Sequence, residues 1–250
     1  MTTATTELEL AVIADIHGNR WALEAVLEDI DRRKIHRFIN LGDTVYGPLD
    51  PAGTADLLIS LRQRTVRGNE DRIITDDTVS DVSIPTLAFT RDRMTDRHKQ
   101  WLESLALSAT LEPDVFYFHG TPDRDDEYLL HEVTPKGLQS RTPEAVTAML
   151  EGIPYRLILC GHDHTPKTLT LPDGRLVVNP GSVGLQAYTD ETPHHHVVSN
   201  HSPHARYAIA KRTTSGWVST HVQVEYDWTA AAALAAENGR SDWASWLRRG

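Results

Sequence analysis

An α/β fold is predicted by three features of the chain. Short apolar runs alternate with stretches of helical periodicity, most of those runs stop at a Gly or Asp, and a short polar motif follows several of them. Such alternation implies βαβ units with mostly parallel pairing. With 250 residues, 40% hydrophobic and 24% charged, the chain is long enough for one sizeable core, and one domain over 1–250 is expected.

Leu8–Ala14 is a near-continuous apolar run ending at Asp15 and reads as a buried strand. Gly18-Asn19 opens a helix over about Arg20–Lys34, with Trp21, Leu23, Val26, Leu27 and Ile30 at helical spacing. Phe38–Leu41 is a second strand, ending at Gly42-Asp43, and Pro48 and Pro51 flank a turn into a helix near Ala52–Leu61. Arg64–Arg67 is a third strand, ending at Gly68-Asn69. Glu70 to Arg93 is polar and reads as helical turns and loop at a site mouth, and Asp96–Leu107 as a helix with Trp101, Leu102 and Leu105 on one face.

Val115–Phe118 is a strand that delivers His119, Thr142–Leu150 a helix with Pro143 near its start, and Leu157–Cys160 a strand that delivers Gly161-His162. Pro172-Asp173-Gly174 is a hairpin turn between Thr168–Leu171 and Leu176–Val178. Tyr207–Ala210 and Trp217–Tyr226 are expected to pair with each other, and 228–250 to form one closing helix. Residues 186–206 hold five of the thirteen histidines and read as a solvated loop insertion, in preference to an extra metal site.

The net charge of −10 disfavours a dedicated nucleic-acid binder, and long nucleic acid is not the expected partner. It leaves room for a small phosphorylated substrate if metals supply local positive charge. Cys160, the single cysteine, excludes an internal disulfide and reads as a buried thiol. Met1–Thr6 lacks a signal-peptide pattern and no apolar run reaches the ~20 residues of a membrane span, so a cytoplasmic location and no membrane partner are expected.

Five motifs occur in fixed order: Asp15-Ile16-His17, Gly42-Asp43, Gly68-Asn69-Glu70, His119-Gly120 and Gly161-His162-Asp163-His164. They contribute Asp15, His17, Asp43, Asn69, His119, His162 and His164, a set of carboxylate, imidazole and amide without thiolate, suited to Mn²⁺, Fe or Zn²⁺. Each sits at a predicted strand's carboxyl end, and in an open α/β sheet those ends line one crevice. Seven ligands exceed the needs of one ion and would serve two, roughly 3.5–4 Å apart and sharing a bridging carboxylate.

These motifs resemble the calcineurin-like metallophosphoesterases, and among them the small bacterial phosphodiesterase-like branch. The resemblance implies a four-layer αββα sandwich, two mixed sheets flanked by helices. It implies that Asp15, His17 and His164 hold one metal, that Asn69, His119 and His162 hold the other, and that Asp43 bridges them. Two divalent ions are implied, Mn²⁺ foremost. A metal-bridging hydroxide would then hydrolyse phosphate esters, phosphodiesters or nucleotides being expected, with Asp43, Asn69 and His119 as the catalytic residues. Asn19, Tyr46, Glu70 and Asn179 are the candidate substrate-binding residues, and Asn179–Gly184 is expected to wall the metals.

Many family members carry a histidine where this chain has Glu70, so the usual leaving-group acid is missing and Glu70 is expected to meet phosphate, face solvent or cap a helix. Gly42-Asp43-Thr44-Val45-Tyr46-Gly47-Pro48 lacks the Arg expected of serine/threonine protein phosphatases. That activity, and a catalytically idle binding module on the same scaffold, stand as alternatives.

Overall fold

The computed structural model describes residues 8–111 and 113–250, so the reading of Met1–Thr6 lies outside the described residues. Strand β1 (Glu9–Ile13) leads into helix α1 (Arg20–Arg32), β2 (Phe38–Asn40) into α2 (Pro51–Leu61), and β3 (Arg64–Thr65) into α3 (Asn69–Thr75), α4 (Pro85–Arg93) and α5 (Asp96–Glu103). Then come β4 (Ser108–Leu111), β5 (Val115–Phe118), β6 (His131–Thr134), β7 (Gly137–Ser140), α6 (Pro143–Met149), β8 (Leu157–Leu159), β9 (Lys167–Thr170) and β10 (Leu176–Asn179). The chain closes with β11 (Ala187–Asp190), β12 (His196–Ser199), β13 (Ala205–Thr213), β14 (Gly216–Val224), α7 (Trp228–Glu237) and α8 (Ser241–Arg249).

Two five-stranded mixed sheets form, in the orders β14-β13-β1-β2-β3 and β4-β5-β8-β10-β9. Leu10, Val12 and Ile39 of the first sheet pack against Val115, Tyr117, Leu157 and Val178 of the second. The outer face of the first sheet is covered by α1, α2, α7 and α8 through Leu23, Val26, Leu58, Ala232 and Trp243. The second is covered by α6 through Val146. This is the four-layer αββα sandwich.

Parallel pairing joins β1-β2-β3 and β5-β8-β10. The remaining pairs of the two sheets are antiparallel: β4-β5, β9-β10 and β13-β14 are consecutive strands joined by short connections, and β13 returns beside β1. The expectation of mostly parallel pairing is corrected accordingly. The β9-β10 turn falls on Pro172-Asp173-Gly174, with Gly174 at φ +83°.

Three further expectations are corrected. Residues 186–206 are not a loop: β11 and β12 pair antiparallel from Ala187↔Ser199 to Asp190↔His196. The closing helix is two helices, broken at Gly239 (φ +80°), because Asn238 turns its side-chain amide to donate to Pro48 O at 2.8 Å. Trp21 is 40% exposed rather than on the buried face of α1, where Ala22, Leu23, Val26 and Ile30 form the contact. Strands β4, β6 and β7 were not anticipated from the sequence, being short and only partly buried. Among the described residues no helix is long and apolar enough to cross a membrane.

Candidate metal centre

The motif residues emerge where the central parallel strands end. Asp15 and His17 follow β1, Asp43 follows β2, His119 follows β5, and His162 and His164 follow β8, while Asn69 begins α3. The loops are knit together by backbone bonds: Asp15 N–H donates to Gly42 O at 3.0 Å, and Ile16 and His17 N–H to Asp43 O at 2.9 and 3.0 Å. Five of the residues stand in the left-handed region, Asp15 (φ 55°), His17 (52°), Asp43 (51°), His162 (73°) and His164 (55°). A non-glycine residue there costs about 1–3 kcal/mol, and such strain clusters at functional sites.

Two groups of candidate ligands result, Asp15-His17-His164 and Asp43-His119-His162, each with its donor atoms within 4.8 Å of one another. Asn69 joins the second, its Oδ1 lying 3.1 Å from His119 Nε2, and Asp43 Oδ2 lies 3.2 Å from the same nitrogen. His119 Nε2 is also 3.9 Å and His164 Nε2 3.5 Å from Asp15 Oδ1, so the two groups are contiguous. All seven residues named from the motifs are brought to one place.

The rings are aimed by their other nitrogens. Nδ1–H of His119 donates to Leu41 O at 2.8 Å and that of His164 to Leu185 O at 2.7 Å. Nδ1–H of His17 faces Tyr46 O at 3.2 Å and Glu70 Oε2 at 2.9 Å. With Nδ1 donating in both rings, the Nε2 atoms of His17 and His164 face each other at 3.0 Å, close enough to share one proton, and a cation taking that proton's place would be ligated by both. Asp15 Oδ1 is buried and accepts no hydrogen bond, which likewise fits a cation.

Charge is concentrated here. Burial pushes the Asp15 carboxyl up to about 7, with Asp43 adding to the rise, and Glu70 also to about 7 for the same reasons. Burial would raise Asp43 too, but His119 beside it holds it below the usual carboxylate range. Burial works to lower His119, yet Asp43 drives it up to about 10; Glu70 likewise lifts His17 to about 9. His162 falls to about 3 through burial and the neighbouring His119.

Other named residues have other tasks. Asn19 is fully buried: Oδ1 caps α1 at Ala22 N–H, and Nδ2 donates to Gly184 O and Tyr226 OH at 3.0 and 3.1 Å. Asn179 Nδ2 donates to Gly161 O and Asp163 Oδ1 at 2.9 and 2.8 Å. Neither reaches the cavity beside the ligands, and both are corrected from substrate-binding to loop-holding positions. The Asn179–Gly184 segment does back the first motif, with Val183 and Gly184 N–H donating to Ala14 O and Asp15 O. A Cβ on Gly184 would lie 1.7 Å from Ile16 O. Asp163 does not orient a ligand histidine but meets His131 Nδ1 at 2.7 Å.

Glu70 turns inward, and its N–H donates to Asp43 Oδ1 at 2.9 Å; it neither faces solvent nor caps. The N-terminal bonds of α3 fall to Asp71, whose Oδ2 accepts from Gly68 N–H at 3.0 Å and whose Oδ1 accepts from Thr44 N–H and Oγ1–H at 2.9 and 2.6 Å. Glu70 also groups with His17 and Asp43 as a third candidate cation cluster.

A model of the calcineurin-like phosphoesterase superfamily domain matches residues 8–201. The chain belongs to that superfamily. As a calcineurin-like phosphoesterase it is a metal-dependent phosphoesterase. It is similar to the uncharacterized protein MJ0912 of Methanocaldococcus jannaschii, 29% identical over 201 residues, covering 70% of this chain and 76% of that protein. Its fold matches a metallophosphoesterase from Sphaerobacter thermophilus (TM-score 0.75, 24% identity, 97% of this chain and 98% of that one). It also matches hypothetical protein PH1004 from Pyrococcus horikoshii OT3 (TM-score 0.73, 21% identity, 97% and 98%).

The roof over the candidate ligands is built from residues outside the five motifs. Beside the ligands lies a cavity of about 220 Å³ lined by His17, Glu70 and Tyr46, and also by Tyr128, Tyr188, Trp243 and Trp246. Tyr188 comes from a segment read as a loop, Trp243 and Trp246 from one read as a closing helix, and Tyr128 from a stretch given no element, and none carries a motif that would mark it. The Tyr128 ring sits 4.7 Å from that of His162, and Tyr188 4.7 Å from His164. The histidines of 194–204 disperse. His196 is buried with Nε2 3.2 Å from Tyr128 OH, whereas His195 is exposed and pairs with Glu191 at 2.9 Å.

Proposed function

We propose that the protein hydrolyses phosphodiesters or nucleotides with two divalent cations, Mn²⁺ foremost and Fe or Zn²⁺ also suited. The observation that carries this reading is the meeting of two ligand groups at one buried point, with His17 and His164 opposed Nε2 to Nε2 at 3.0 Å and Asp15 Oδ1 without a partner. Asp15, His17 and His164 would hold one ion, Asn69, His119 and His162 the other, and Asp43 both. Bound there, such a pair supplies positive charge for the phosphoryl oxygens and makes hydroxide available near neutral pH.

The chain's own residues do the rest. Asn69 is a neutral ligand, which limits the negative charge facing an anionic substrate. His119 is fixed by Leu41 O, so its Nε2 keeps one direction throughout the reaction. Glu70 faces the cavity in place of the family histidine, and its pairing with His17 keeps its negative charge from bearing fully on phosphate. Without a histidine acid the enzyme favours esters with easily departing leaving groups, and its rate over a series of aryl esters falls as leaving-group pKa rises. Tyr46 and Glu70 both line the cavity, which supports reading them as the substrate-binding residues.

The test is a screen of bis-aryl phosphate, aryl phosphate and cyclic nucleotides, with Mn²⁺, Fe²⁺ or Zn²⁺ added back to stripped protein. Turnover that returns with metal is the expected result. Fully metallated protein that leaves every ester intact would overturn the assignment in favour of an idle module.

A further inference from the structure

The same site has a second feature that the metal ligands do not explain, namely a small cavity whose far wall is aromatic. Tyr46, Tyr128, Tyr188, Trp243 and Trp246 share with the candidate ligands the lining of a cavity of about 220 Å³, below the roughly 300–1,000 Å³ usual for ligand pockets. Such a space suits one planar ring and is too short for an extended chain. Arg240 also lines it, but Asp242 holds that guanidinium through two bonds of 3.0 and 2.6 Å, so it is not a free charge for a second phosphate.

A second cavity of about 680 Å³ shares Asn69, Tyr128, His162 and Asp190 with the first, so both reach the same ligand group. Its wall is polar, with Arg124, Glu127, Glu132 and Arg141, and each arginine has carboxylate partners, Asp126 for Arg124 and Glu132 for Arg141. A phosphorus atom at the ligand cluster therefore borders both an aromatic space and a hydrophilic one. A monoester occupies only one of them.

We propose that the aromatic cavity is a specificity subsite for a planar ring carried by the substrate, and that the substrate class is a phosphodiester with one aryl or nucleobase-bearing arm there and a polar arm in the open groove. This rests on the phosphoesterase reading above. Stacking of one base on an aromatic side chain is worth a factor of about 5 to 150 in affinity. Trp246 is the residue to test, because Trp243 also packs edge-on against His17 at 5.8 Å and its loss would disturb a ligand.

The experiment is calorimetric titration of the metal-loaded protein with phenylphosphonate and methylphosphonate, which share a head group and are not hydrolysed. Phenylphosphonate is expected to bind at least tenfold more tightly. Trp246→Ala should reduce that ratio to threefold or less at unchanged metal content, and Trp246→Phe should restore most of it. Equal binding of the two phosphonates to the wild-type protein overturns the subsite. A higher kcat/KM on p-nitrophenyl phosphate than on its bis-aryl diester overturns the diester arm. Both results leave phosphoesterase activity standing, whereas absence of all turnover at full metal content defeats the underlying reading instead.

Discussion

In the strand-end loops, Asp15, His17, Asp43, His162 and His164 are held at positive φ by backbone bonds between neighbouring loops. Over the same cavity, Trp243 and Trp246 are held by packing, with a 6.1 Å contact between their rings, and Tyr128 and Tyr188 by side-chain contacts, their hydroxyls 2.6 Å apart. The first region tolerates few residue types, because each must both ligate and accept a strained backbone. The second needs only a large ring in roughly the right place. The proposed function thus assigns chemistry to the loops, and the proposed subsite assigns selectivity to the more replaceable roof.

The sharpest way to break this contrast is to press on the loops. Gly184→Ala would drive a Cβ into Ile16 O between the first two ligands. A loss of about 3 kcal/mol in denaturant unfolding is expected, together with loss of metal binding. An unfolding midpoint close to wild type would show that the loops yield more readily than the contacts imply.

Asp71→Ala comes next. It removes the acceptor that joins Gly68 to Thr44 and leaves those N–H groups unpaired. Metal affinity, followed by titration, should fall about 10- to 100-fold, as for other groups that support ligands from behind. A Trp246→Ala protein should differ in kind, losing ring preference while metal affinity stays within about threefold.

The smallest effect belongs to a control far from both regions. Asp29 accepts from Tyr207 OH at 2.7 Å and from Arg33 Nε at 2.7 Å. Burial would raise its carboxyl, but the bond from Tyr207 and those from Arg33 and Arg32 outweigh it and hold it below 3.8. A depressed carboxyl stabilises the fold fully above its unfolded value and loses that contribution as pH falls through the folded one. Asp29→Asn should thus cost about 1 kcal/mol at pH 7. The difference should close as pH falls below 3.8, which thermal unfolding at several pH values will report.

The contrast also explains what could be read from the residues alone. The convergence of the seven candidate ligands was legible because Asp, His and Asn recur directly after apolar runs, and the central strands fix where such positions converge. Tyr188 and His196 were hidden in a polar, histidine-rich stretch whose β11-β12 pairing has little apolar alternation to announce it. Trp243 and Trp246 look like the apolar face of a closing helix, and only the break at Gly239 shows that their helix stands over the cavity. Asn19 and Asn179 illustrate the opposite error. Adjacent to motifs, they resemble site residues, but their amides are consumed in holding loops.

The central claim is a pair of cations joined by Asp43, and metal stoichiometry by elemental analysis of wild-type and Asp43→Asn protein, with turnover measured on the same samples, tests it most directly. Two ions per wild-type chain are expected, with occupancy and nearly all turnover lost in the variant. An Asp43→Asn protein that keeps both ions and near-native turnover, or a wild-type protein that saturates at one ion, would contradict it.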